Sequence, residues 1–223
     1  MLVAIWMLAP LMPGLTTLAR PGVETALPTI SPTEAIQRPG PVERGDDSDA
    51  SAIVGTVPSE LPRLYWLDAV PRSLGSLAGN VVVIRSFTNA CPFCAATMPA
   101  LEKIHRDYQG RGVRVLGVYH PKPPRFVTAA DVADFSLSLG VSFPIAVDSE
   151  WQLVQSWWLG TTKSTWTSVT WVLDGTGTVR YVHPGGEYHP DGGEHHERCR
   201  KDERVLRRVI EQLLAEPNSR LEK

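Results

Sequence analysis

The chain has 223 residues, 43% of them hydrophobic, and a formal net charge of -2 with both signs spread along its length. That balance leaves no basic footprint for nucleic acid and no cationic face for an anionic membrane surface, so neither is expected as a partner. Three cysteines, two of them in a C-x-x-C pair, are too few for a disulfide-stapled secreted scaffold; they fit a redox or metal pair plus one extra thiol, Cys199.

Residues 1–19 are almost wholly apolar, carry no charge before Arg20, and offer small residues in Thr17-Leu18-Ala19 where a signal peptidase could cut. They read as an export signal or anchor, although no Lys or Arg opens the segment and Pro10 and Pro13 would interrupt a spanning helix. The expectation is an extracytoplasmic protein, periplasmic or secreted, whose only route to a membrane is this segment. From Pro21 to Pro62 the chain carries seven prolines, the acidic run Asp46-Asp47-Ser48-Asp49 and few large apolar residues. Such composition does not repay the entropy of ordering, which predicts a flexible linker over residues 20–60. One folded domain is expected over residues 61–217; a stretch of that size buries about two thirds of its unfolded surface without staples.

Within it, Val81-Val82-Val83-Ile84 is a β-branched run after the turn-like Ala78-Gly79-Asn80, as in a strand covered on both faces. Met98, Leu101, Ile104 and Tyr108 recur at helical spacing before Gly110, so the cysteine pair opens an amphipathic helix. Val113 to Tyr119 reads as a second buried strand, and Val132, Phe135 and Leu139 as a second helix closed by Gly140. A short strand at Phe143 to Val147 and a short helix with Trp151, Val154, Trp157 and Trp158 follow. Thr170 to Leu173 and Val179 to Val182 form a hairpin around Asp174-Gly175-Thr176-Gly177, and Leu206, Val209, Ile210, Leu213 and Leu214 share one face of a last helix. This order predicts an α/β fold with a mixed central sheet flanked by helices on both faces.

Two cysteines separated by two residues at a helix start can close a disulfide within one turn. The free N–H groups and positive end of the helix dipole favour a thiolate at the first, so Cys91 is expected to be the nucleophile. Cys94, one turn further in, suits attack on the mixed disulfide. Pro92 fits the first helical turn, where its missing N–H costs nothing. The same pair could be half of a zinc site, but a second pair of ligands could come only from the His-rich tail.

Gly79-Asn80-Val81-Val82-Val83-Ile84, Ser86-Phe87-Thr88, Cys91-Pro92-Phe93-Cys94 and Met98-Pro99-Ala100-Leu101 together resemble the TlpA-like branch of the thioredoxin-fold thiol-disulfide oxidoreductases. Tyr65-Trp66-Leu67-Asp68 with Ser73-Leu74 and Leu77 resembles the lead-in of that family. Val115 to Lys122 and Trp171-Val172-Leu173-Asp174 resemble its later strands, so the likeness runs from about residue 60 to 216. It implies a thioredoxin-like fold, catalysis by Cys91 and Cys94 without a cofactor, and exchange of disulfides with protein thiol or disulfide substrates and a redox partner.

The chain departs from that family in several places. Ser168, within Trp166-Thr167-Ser168, stands where the family has a cis-proline, and a trans peptide is expected because a non-proline cis bond costs about 3 kcal/mol. Thr167, Ser168, Phe93 and Pro92 are therefore expected to shape the site. Arg85 replaces a buried acid; it either reaches solvent or an acidic partner, or it lowers the cysteine pKa and biases the pair toward oxidation. Ala90 replaces a tryptophan and leaves Cys91 less shielded. The segment from His183 to Cys199 holds four of the six histidines; it reads as a solvated polar loop with a packed or idle cysteine, although His195 and Cys199 would share a helix face, and no metal site is assigned. His105 and His120 read as surface or strand-end residues. Two other activities compete: a copper or zinc carrier using Cys91, Cys94 and a tail histidine, and a thiol peroxidase, since Thr88 lies three residues before Cys91 as in peroxiredoxins.

Overall fold

The computed structural model describes residues 47–216. In chain order the elements are α1 (Asp47–Ser51), β1 (Tyr65–Trp66), α2 (Leu74–Leu77), β2 (Val81–Phe87), α3 (Pro92–Tyr108), β3 (Val113–Tyr119), α4 (Ala129–Ser138) and β4 (Ile145–Val147). Then come α5 (Gln152–Val154), running on into a π-helical turn over Gln155–Leu159, β5 (Thr170–Leu173), β6 (Val179–His183), a 3-10 turn over Glu194–His196, and α6 (Glu197–Ala215).

The six strands form one sheet in the order β1-β4-β3-β2-β5-β6. β2, β3 and β4 are parallel, while β1, β5 and β6 run antiparallel to their neighbours. Helices cover both faces, so the sheet separates two apolar clusters. One joins Val81, Val83 and Phe87 of β2 to Met98, Leu101 and Ile104 of α3 and to Leu206 and Ile210 of α6. The other joins Val82 and Ile84 to Leu153, Trp157, Trp158 and Trp171. This is the thioredoxin-like α/β architecture expected from the order of elements.

Strand alternation decides where the polar residues of β2 go. Arg85 shares the parity of Val83 and Phe87 and therefore faces α3 and α6, whereas Ser86 faces the opposite layer. The parallel strands β2 and β3 end side by side at Phe87 and Tyr119, which gathers Thr88 to Cys91 and His120 at one edge of the sheet. Open α/β sheets place their chemistry outside the carboxyl ends of such strands.

The linker expectation needs correcting over its described part. Residues 1–46 lie outside the described residues, and so does 217, the expected end of the domain. From residue 47 onward the segment packs on the domain: Ala50 and Ile53 are buried in the second cluster. The Gly55 N–H donates to Val179 O at 2.7 Å and the Val179 N–H to Thr56 O at 2.9 Å. Trp157 Nε1 donates to Ser59 O at 3.0 Å. Small residues with few apolar neighbours in sequence find their apolar neighbours in space.

Candidate active site

Cys91 is the N-cap residue of α3, with extended backbone, and Pro92 occupies the first turn. The chain thus turns from β2 into a helix whose first N–H groups face the sulfur pair. Cys91 is half-buried and Cys94 fully buried, and both are free thiols. Cys94 Sγ and Ser168 Oγ are hydrogen-bonded at 3.0 Å, and the hydroxyl becomes the donor when the sulfur is ionised. Ser168 is buried and its peptide bond is trans, since the cis bond among the described residues is Lys122–Pro123.

Arg85 does not reach solvent and pairs with no carboxylate among the described residues, contrary to one of the two expectations. Its side chain is completely buried. Nη1 donates to Thr170 Oγ1 at 3.1 Å and Nη2 to Gly186 O at 3.0 Å, and the guanidinium carbon lies 5.6 Å from the centre of the Tyr188 ring. Nε has no partner. Arg85 is thus a cation held within the protein on the face that carries Cys94.

The two sulfurs share a proton. Burial works against ionising Cys94, but the hydrogen bond from Cys91, the Arg85 charge, the Ser168 hydroxyl and the Thr88 backbone outweigh it and bring it down to about 5. Cys91, held to the Cys94 sulfur by that hydrogen bond and itself partly desolvated, is pushed up. The reduced pair therefore carries its first negative charge below the ordinary thiol range, as one charge shared by the two sulfurs. Arg85 and Ser168 sit behind the pair and favour that charge.

Around the pair, Phe93 and Trp166 are half-buried with ring centroids 6.0 Å apart, forming an apolar rim. Thr167 Oγ1 lies 2.8 Å from His120 Nε2, and His120 Nδ1 lies 3.0 Å from Ser86 Oγ. His120 is strand-terminal as expected but fully buried rather than superficial. Burial first, then the charges of Lys122 and Arg85, hold its pKa down to about 3, so it is a neutral ring that fixes Thr167 and, through it, the position of Ser168. His105 is half-buried with its ring edge against Phe143.

The sequence profile of the AhpC/TSA family matches residues 61–182, more than half of the chain and the segment that carries Arg85, the cysteine pair and Ser168. The chain belongs to the AhpC/TSA family. Among its relatives in that broad class, DipZ of Mycobacterium tuberculosis is 30% identical over 138 residues, which are 60% of this chain and 19% of DipZ. The thiol-disulfide oxidoreductase ResA of Halalkalibacterium halodurans is 26% identical over 51% of this chain and 58% of its own length. The chain therefore spans less than two thirds of these relatives. A thiol-disulfide isomerase from Corynebacterium glutamicum superposes with a TM-score of 0.56 at 25% identity, over 72% of this chain and 97% of that one. A thiol:disulfide interchange protein, DsbE-like, from Chlorobium tepidum superposes with a TM-score of 0.53 at 18% identity over 78% and 99%, and shares the fold. An AhpC/TSA chain of thioredoxin-like fold with a Cys91–Cys94 pair at a helix start is chemically capable of disulfide exchange.

The His-rich segment is not the solvated loop that its composition suggested. Pro184 to His189, His196 and Cys199 are buried, while His195 is exposed, so His196 rather than His195 faces Cys199. Tyr188 is fully buried between Arg85 and Thr170; its hydroxyl lies 3.1 Å from Thr170 Oγ1 and its N–H donates to Thr97 Oγ1 at 3.3 Å. Cys199 is fully buried, which keeps it out of disulfide exchange. Sequence reasoning missed Tyr188, His120 and Trp166 as parts of the site. Trp166 adjoins Thr167, which had been assigned to it, and that adjacency was the available signal; His120 and Tyr188 carried none.

Proposed function

We propose that this protein is a thiol-disulfide oxidoreductase of the TlpA-like kind, which exchanges disulfides with protein substrates outside the cytoplasm. The observation that carries this reading is the pairing of a half-exposed sulfur at a helix start with a buried partner one turn behind it. In the reducing direction Cys91, deprotonated by Cys94, attacks a client disulfide: a Cys91–client S–S bond forms and one client sulfur leaves as thiolate. Cys94 passes the proton it took to the departing client thiolate and attacks Cys91 as a thiolate, the second client sulfur leaves, and the pair ends oxidised with the client reduced by two electrons. The opposite direction runs through the same mixed disulfide. Phe93 and Trp166 supply an open apolar rim that accepts an extended peptide, while Thr167 and Ser168 shape the backbone beside it.

The extracytoplasmic setting rests on the apolar residues 1–19 and agrees with the oxidising compartments in which such exchange is useful. No helix among the described residues is long and apolar enough to cross a membrane. A peroxidase is disfavoured by the second cysteine one turn away and by Ser168, a hydroxyl rather than a cation, beside the sulfurs. The metal-carrier reading loses its ligands, because His189 and His196 gather around Cys199 and His183 lies against Asp202, none of them in a cluster with Cys91 and Cys94.

The test is trapping. Cys94→Ala should accumulate mixed disulfides with extracytoplasmic proteins, seen as high-mass bands that collapse on reduction, and Cys91→Ala should accumulate none. Equal trapping by both variants would remove the assignment of roles.

A further inference from the structure

Behind the redox pair, Glu187, His189, His196 and Cys199 bring a carboxylate, two imidazoles and a thiol together, all buried, with donor atoms within 4.8 Å of one another. We propose that these four residues bind a divalent transition metal ion, zinc first, at a structural site distinct from Cys91 and Cys94. The donor set is one that zinc takes: thiolate sulfur, imidazole nitrogen and carboxylate oxygen in a closed four-ligand shell.

The spacing supports a tetrahedral ion. With bonds of about 2.0–2.3 Å, tetrahedral donors lie about 3.3–3.8 Å from one another. His196 Nδ1 and Glu187 Oε1 are 3.5 Å apart, Cys199 Sγ and His196 Nδ1 3.6 Å, Cys199 Sγ and Glu187 Oε1 3.8 Å, and His189 Nε2 and Glu187 Oε1 3.9 Å. These are the edges of a coordination shell rather than good hydrogen bonds among ligands.

The partner accounting points the same way. His189 is 1% exposed, yet neither of its ring nitrogens has a hydrogen-bond partner, and Glu187 Oε2, also buried, has none. A neutral imidazole needs both a donor and an acceptor satisfied, and buried polar atoms left without partners are rare in folded proteins. A metal ion would take one of the two unpartnered His189 nitrogens and draw the Glu187 carboxylate to it. The surrounding chain is built to hold the set closed: Gly192 has φ +99°, and a Cβ there would lie 2.7 Å from the His196 ring. Arg200 Nη1 donates to Gly192 O and Gly193 O at 2.9 and 2.8 Å, tying the loop to α6.

The consequence is a staple between two elements. Glu187 and His189 come from the loop after β6, His196 from the 3-10 turn that leads into α6 and Cys199 from the first turn of α6. The same loop supplies Gly186 and Tyr188 to Arg85, so the ion fixes the segment that holds the buried cation under the cysteine pair.

The experiment uses the full chain. The native protein, purified with zinc and desalted, should retain about one zinc per chain by mass spectrometry, and so should Cys91→Ser/Cys94→Ser, whereas His189→Ala and Cys199→Ser should lose nearly all of it. In the double variant Cys199 is the one remaining thiol, so added Co(II) should give a near-ultraviolet thiolate charge-transfer band that zinc abolishes. That readout uses a chain with all four ligands intact and does not depend on whether the ligand variants fold. Absence of the cobalt band, a native chain with under about a tenth of an equivalent of zinc, or zinc lost in the double variant but kept in His189→Ala would each overturn the proposal.

Discussion

A guanidinium sealed from water costs several kcal/mol to keep charged, even after relaxation. Arg85 meets two oxygen acceptors and an aromatic face, but no carboxylate among the described residues. The negative charge available to it is the thiolate of the cysteine pair, so cation and thiolate each reduce the cost of burying the other. Replacing Arg85 by Met keeps much of the side-chain length and removes the charge. The first ionisation of the pair should then rise by about 1–2 pKa units, or about 1.4–2.8 kcal/mol. Because the thiolate belongs to the reduced form, the reduction potential at neutral pH should fall by about 30–60 mV; redox equilibration against glutathione measures it. The sign of the pH dependence follows from the lowered pKa. The stabilisation of the reduced fold is fully present above the ordinary thiol value of about 8.5 and is lost as pH falls through the lowered one. Urea unfolding of reduced and oxidised chains should show the reduced form gaining on the oxidised as pH rises across that window, with a much smaller gain in Arg85→Met. Equal gains in both chains would mean that Arg85 does not act on the sulfurs.

The loop between β6 and α6 is the element that composition described least well. Polar residues, glycines and histidines over 183–199 look solvated, yet Gly186 lies against Arg85, 101 residues earlier in the chain. No local pattern reports such a partner. The strands and helices were legible because alternation and 3.6-residue spacing are local signals, and the C-x-x-C at a helix start was legible for the same reason. The destinations of Arg85, His120 and Tyr188 were not, because burial of a polar side chain depends on what distant elements offer it. Gly185 shows how tightly the loop is fitted: φ is +130° and a Cβ would lie 2.8 Å from the Trp166 ring. Gly185→Ala should therefore cost about 1–3 kcal/mol in backbone strain alone and push Trp166 from its place beside Phe93. A lowered urea midpoint together with slower disulfide exchange on an unfolded client is the expected result. Unchanged values for both would show that the loop yields freely and does not set the rim.

At the scale of the molecule, the open question is where the folded unit begins. Proline and small polar residues suggested a linker up to residue 60, and single-residue composition could not show that Ala50 and Ile53 complete the cluster around Trp157 and Trp171. The same stretch satisfies Trp157 Nε1 through Ser59 O and adds backbone hydrogen bonds to the β6 edge at Val179. It covers an otherwise open strand edge, which is a protection as well as a contact. Removing residues 1–46 takes none of these contacts away, so a chain beginning at Asp47 is the reference against which a chain beginning at Leu61 is measured. Removing residues 1–60 exposes Ile53's site, leaves a buried indole N–H without its acceptor and frees the β6 edge, while releasing the entropy cost of ordering the segment. The net loss should be about 2–4 kcal/mol, still with a cooperative transition, because the first apolar cluster and the cysteine helix remain whole. Equal midpoints for the two truncations would show that residues 47–60 lie on the domain without stabilising it.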